Sequence, residues 1–194
     1  MILIPRSARP TTAAGLVNCA EAIIDRLDDS ADPLGADGWE TMDAYAKVDH
    51  YVRAGDDTVA DPEGCYLAQT DAAFLDAVAK HHPDATIFLN VRRFKSWLAA
   101  VDRSTRKDHR FHRDGLRGQL TACGFPGLAA GVGDRAADML AWYESHKARI
   151  RAYAREHPSL TLVEVDVEDP GAGAQLAAAT GLPDVCWVPP TKDD

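Results

Sequence analysis

None of the four cysteines sits in a Cys-x-x-Cys pair; they stand apart at positions 19, 65, 123 and 186, with no histidine nearby at zinc-ligand spacing. A structural zinc site is thereby disfavoured, no metal is expected, and buried free thiols are the expectation. Basic charge is also scarce. With 21 Lys and Arg against 30 Asp and Glu, the net charge is −9. The one-sided surplus of cations that nonspecific nucleic-acid binding requires is missing. Any anion site must be local. No apolar run reaches the roughly 20 residues of a membrane helix, and the first residues lack the basic segment and apolar core of a secretory signal. The expectation is a cytoplasmic protein with neither membrane nor nucleic acid as partner. Residues 1–12 contain no glycine and no lysine, which removes the Gly-x-x-x-x-Gly-Lys-Ser/Thr loop of ATPases. The Gly-x-Gly-x-x-Gly turn of dinucleotide-binding folds is missing too.

What is there is an ordinary globular composition, 46% apolar and 26% charged, in a length that suits one domain over residues 1–194. Short apolar runs alternate with helical patterns. Ile2 to Ile4 reads as a strand, Ala13 to Leu27 as a helix behind a Thr11 cap, and 28–38 as turns. Trp39 to Val52 and Leu67 to His81 read as helices, with a short strand at Thr58 to Ala60 between them. Ile87 to Val91 is a strand followed by a helix from Phe94. Residues 102–114, mostly charged, read as a loop or lid. A glycine-rich connection at 124–133 leads to a long helix from about Asp134 to Glu156, a strand at Leu160 to Val165 and a helix at Ala172 to Thr180. This alternation predicts a three-layer α/β/α fold with a parallel sheet.

The stretch from Pro83 to Trp97 carries the most chemistry. An apolar strand runs into Arg92 and Arg93 and then into a helix, and anionic ligands collect at the carboxyl edge of such strands, where helix N-termini point. The alternative is that both arginines are solvated and pair with neighbouring carboxylates. Segment 5–12 follows the first strand and offers Arg6, Ser7, Arg9, Thr11 and Thr12 as donors for a phosphate or sulfate; the alternative there is a basic, capped helix start. His109 and His112 read as solvated loop residues, and His146 as an interior hydrogen-bonding group.

Taken together these segments resemble the sulfotransferase family. Pro5-Arg6-Ser7 through Thr11-Thr12 resembles the loop that binds the 5′-phosphosulfate end of the donor, with Ala8-Arg9-Pro10 in place of its glycine. His82-Pro83-Asp84-Ala85-Thr86-Ile87-Phe88-Leu89-Asn90-Val91-Arg92, with Trp97 beyond it, is similar to the segment whose arginine binds the 3′ phosphate. Arg93-Phe94 stands where that family usually has Asp-Pro or Asn-Pro, and Ala100 where many members have serine. Trp142 to His146, the strand at 160–165 and Leu176 to Pro183 follow the family's closing pattern. The resemblance implies a P-loop NTPase-like fold and an enzyme that uses 3′-phosphoadenosine 5′-phosphosulfate (PAPS). Arg6, Ser7, Arg9, Thr11, Thr12 and Arg92 would bind that donor, and a small molecule would accept the sulfuryl group. It also implies Asp61, before Pro62, as general base, with Glu63 as the second choice, and it leaves Arg93 facing solvent. Two rivals stay open: a non-catalytic binding protein of the same fold, and a nucleotide-dependent kinase.

Overall fold

In the computed structural model the described residues are 2–4, 26, 29–32, 45–46, 50–51, 65–107 and 115–180. At their centre is β5 (Thr86–Val91), whose run Ile87-Phe88-Leu89 is buried on both faces of the pleat, at 1%, 2% and 4% exposure. Continuous apolar sequence of this kind belongs to a strand covered on both sides. β5 pairs in parallel with β6 (Thr161–Asp166), from Thr86 opposite Thr161 to Val91 opposite Asp166. Val167 N–H donates to the Val91 carbonyl at 3.0 Å and carries the ladder one step past the named strand.

On its other side β5 pairs with β1 (Ile2–Ile4), which in turn pairs with β2 (Tyr45–Ala46), giving the order β2-β1-β5-β6. β1 runs antiparallel to β5, with Ile2 opposite Phe88 and Ile4 opposite Thr86. The sheet is therefore mixed, and the parallel arrangement expected from the alternation holds for β5 and β6 but not for β1. The physical reason is that three apolar residues read the same in either direction, so hydrophobic pattern places such a strand in a sheet without orienting it. A separate two-stranded ribbon joins β3 (His50–Tyr51) to β4 (Cys65–Tyr66).

Helices pack on this frame according to their apolar stripes. A short 3-10 turn (Ala68–Thr70) precedes α1 (Ala72–His81), which starts where the Asp71 carboxylate accepts from Ala73 N–H at 2.9 Å, a side-chain cap for an orphan donor. Phe74, Leu75 and Val78 of α1 meet Ile87 and Leu89 of β5 and Ile150 of the long helix in one buried cluster. The connection from β5 to β6 contains α2 (Phe94–Lys107), α3 (Gly115–Cys123) and α4 (Ala136–Glu156), and α5 (Ala172–Thr180) follows β6. A second cluster, with Val101, Leu120, Leu128, Met139 and Trp142, joins α2 and α3 to the first half of α4. No helix among the described residues is long and apolar enough to cross a membrane.

Three expectations change. Trp39 to Val52 reads as a helix, yet Tyr45–Ala46 and His50–Tyr51 are strands; aromatic residues favour strands once a partner edge is present. Asp102 to Lys107 continues α2 instead of opening a loop, and Arg117 of α3 reaches back to Asp102 at 3.3 Å. Cys123 is disulfide-bonded, so it is not the free thiol expected from cysteine spacing. The expected helix at 13–27 and strand at 58–60 lie outside the described residues, apart from Arg26, which is helical.

Candidate functional site

The parallel register of β5 and β6 decides what meets at their carboxyl ends. Because Val91 stands opposite Asp166, the residues that leave the two strands emerge side by side. Arg92 and Arg93 thus come to face Glu168. The Asp166 carboxylate accepts from Glu168 N–H at 2.9 Å and fixes that turn.

Arg92 is held by its backbone. Its N–H donates to the Tyr143 hydroxyl at 3.1 Å, and that hydroxyl donates to the Arg92 carbonyl at 2.7 Å. One phenol oxygen closes both main-chain groups where the sheet ladder ends, which is how buried polar backbone is satisfied. Tyr143 is itself fixed by an aromatic group, with ring centroids of Trp97 at 4.8 Å and Phe94 at 6.0 Å. Lys147 Nζ lies 4.4 Å from the Tyr143 ring centre, a cation–π contact. Tyr143→Phe should lower unfolding free energy by about 1–2 kcal/mol, since it strands two backbone groups at once. Urea denaturation of the variant checks this, and an unchanged midpoint would mean that water replaces the hydroxyl.

The Arg92 guanidinium is less well served. Its Nη2 approaches Glu168 Oε1 at 3.5 Å, beyond normal hydrogen-bond length, and its Nε is buried with no hydrogen-bond partner among the described residues. Glu168 is engaged elsewhere. Its Oε2 accepts from Arg93 Nε at 2.8 Å and from Arg93 N–H at 3.2 Å. Hydrogen bonds from Arg93 and Ser96 take its carboxyl down to about 2, so it stays ionised. Arg93 is 81% exposed, in keeping with a solvent-facing side chain, although it carries this ion pair. The alternative of arginines paired to a carboxylate therefore holds for both, for Arg93 through two hydrogen bonds and for Arg92 through a longer 3.5 Å ion pair that leaves its Nε without a partner among the described residues.

Chemically this is a cation at the carboxyl edge of a central strand, one residue before Arg93, whose carbonyl accepts the first bond of α2 from Trp97 N–H. The Nε and Nη edge of a guanidinium matches two oxygens of a phosphate or sulfate, and the start of a helix adds partial positive charge. Glu168 could not be picked out by residue type alone. The signal for it was the pairing of the strands at 87–91 and 160–165, which brings whatever follows them together.

Of the residues singled out as donor- or base-bearing, only Arg92 lies among those described. Arg6, Ser7, Arg9, Thr11, Thr12, Asp61 and Glu63 lie outside them, as do His109 and His112. The direction of β1 still bears on the first group. Ile4 leaves the sheet beside Thr86, at the amino end of β5, whereas Arg92 follows the carboxyl end. Six strand residues separate these edges by roughly 20 Å. Comparison with protein-family models, with curated proteins and with solved structures finds no match to this chain.

Proposed function

We propose that the chain binds PAPS through Arg92 and transfers its sulfuryl group to a hydroxyl or amine of a small-molecule acceptor. The observation that carries the reading is the buried Nε of Arg92 at the β5 edge, without a hydrogen-bond partner among the described residues while Nη2 makes a 3.5 Å ion pair with Glu168. In this scheme Arg92 takes the donor's 3′ phosphate, while Arg6, Ser7, Arg9, Thr11 and Thr12 take the phosphosulfate. The acceptor atom attacks sulfur, its proton passes to Asp61 or, in its place, Glu63, and the bond from sulfur to the phosphate oxygen breaks. 3′-Phosphoadenosine 5′-phosphate (PAP) departs with the extra negative charge. Fixed cations beside that phosphate would stabilise the charge as it forms. Segment 5–12 can meet this demand from the far end of β1, because eight residues span up to about 28 Å when extended.

A second reading is favoured by one observation, the antiparallel β1. In it the chain is an oxyanion- or nucleotide-binding protein that uses Arg92, without a contribution from segment 5–12 and without sulfuryl transfer. Titration calorimetry with PAP tests what the two share. Saturable binding is expected, and Arg92→Ala should weaken it tenfold to a hundredfold, roughly the worth of one or two charge-assisted hydrogen bonds. No heat at millimolar PAP sinks both readings. Incubation with PAPS and a panel of phenols and amines then separates them, since binding without PAP release favours the second. Metal-dependent ATP binding with indifference to PAP would instead point to a kinase.

A further inference from the structure

A second group of donors lies away from the β5 edge, where α4 meets the turn at Pro126 and Gly127. Trp142, His146 and Arg149 recur at spacings of four and three along α4, which puts them on one face of the helix. Trp142 and Arg149 both reach the same dipeptide. Arg149 Nη1 donates to the Pro126 carbonyl at 3.1 Å. Trp142 Cδ1 lies 3.6 Å, and Ser145 Oγ 3.3 Å, from where a Cβ on Gly127 would stand, and Gly127 holds φ +87°. The missing side chain leaves the pyrrole edge of the indole facing the turn.

The polar accounting at this turn does not close. Trp142 is 5% exposed, yet its Nε1–H has no hydrogen-bond partner among the described residues, and neither does the buried Nε of Arg149. Arg149 has two neutral partners, the Pro126 carbonyl and His146 Nδ1 at 3.1 Å, and no carboxylate among the described residues. A guanidinium can only donate. His146 Nδ1 must therefore be the acceptor, which leaves the neutral ring's proton on Nε2. Burial, and then the neighbouring Arg149, push His146 down to about 4, so the ring is neutral at pH 7. Burial alone lowers Arg149, with no carboxylate offsetting it. A half-buried cation without a counter-charge beside a buried unpaired N–H is costly, and an acceptor bearing negative charge removes both costs.

We infer that Arg149, Trp142 and the Pro126–Gly127 turn form an oxyanion subsite, separate from Arg92, for a sulfate, phosphate or carboxylate that is either free or carried on a larger molecule. The indole N–H and the guanidinium supply the donors, and glycine at 127 keeps a Cβ from crowding Trp142 and Ser145 at the turn. His146 orients the guanidinium by accepting one of its N–H groups.

The test uses the whole chain labelled with nitrogen-15. The four tryptophans give four indole N–H signals, and the one lost in Trp142→Phe is that of Trp142. Titration with sodium sulfate at constant ionic strength, balanced with sodium chloride, should move this signal downfield and the Gly127 amide with it, both saturably. Followed on the Gly127 amide, Trp142→Phe should weaken sulfate about fivefold, as expected for one hydrogen bond. Arg149→Gln should abolish saturation at these two signals. A parallel titration with phenyl sulfate distinguishes the sources: tighter binding than sulfate identifies a group carried on a larger molecule, equal binding a free ion. The proposal is overturned if no titrant saturates, if chloride alone moves the signals equally, or if Arg149→Gln, still folded by its amide spectrum, keeps the response.

Discussion

Reduction of the Cys123 disulfide should lower the free energy of unfolding by about 4 kcal/mol. Cys123 closes α3 and is bonded to a second cysteine, and the other three, at 19, 65 and 186, are separated from it by about 60 to 100 residues. Closing a loop of that length removes much of the freedom of the unfolded chain, and the loss depends only weakly on which partner is used. The expected result is a large drop in the urea midpoint on adding a thiol reductant. Cys123→Ser should show the same lower midpoint without reductant and no further change with it. Peptide mapping under non-reducing conditions would identify the partner. Equal stability with and without reductant would sink the idea. The bond also bears on compartment, since disulfides persist in oxidising surroundings and are rare where thiols are kept reduced.

How much of this was legible beforehand depended on how far apart in sequence the deciding partners lie. α1 and β5 were readable because Phe74, Leu75 and Val78 repeat at helical spacing and Ile87 to Leu89 form a strand-length apolar run. The long helix ending before His157-Pro158 and the strand after it were readable for the same local reasons. Tyr45 and Tyr51 were not, because their state is settled by edges supplied by Leu3 and Cys65. The direction of β1 and the disulfide are likewise decided by distant chain. At the site, Arg92 stood out by its place after a strand. Glu168 and Tyr143, which face it across 76 and 51 residues, become visible only once the strands pair and α4 packs. Arg149 gave no sign at all, since what marks it is the missing counter-charge.

The stability of this protein should fall steeply as pH drops from 6.5 towards 4, and His146 is the expected cause. In the fold, burial first and then Arg149 lower this imidazole from 6.5 to about 4. Between those values the unfolded chain takes up a proton that the native state refuses, so unfolding free energy rises with pH across the window. The contribution is fully present above the ordinary value of 6.5 and is lost as pH falls towards 4; over the whole window it amounts to about 3 kcal/mol. Urea denaturation at pH 6.5 and at pH 5 should differ by on the order of 1 to 2 kcal/mol from this residue. The carboxylates held low by arginines, Glu168, Glu164 and Asp138, lose their contributions further down, as pH falls below their ordinary range. Among the described residues, the upper part of the window therefore reports mainly on the imidazole. His146→Gln keeps an acceptor for Arg149 Nη2 without a titrating ring, so its stability should be nearly flat from pH 6.5 to 5. A variant as steep as the parent would show that the proton goes elsewhere and that the ring is not sealed between Trp142 and Arg149.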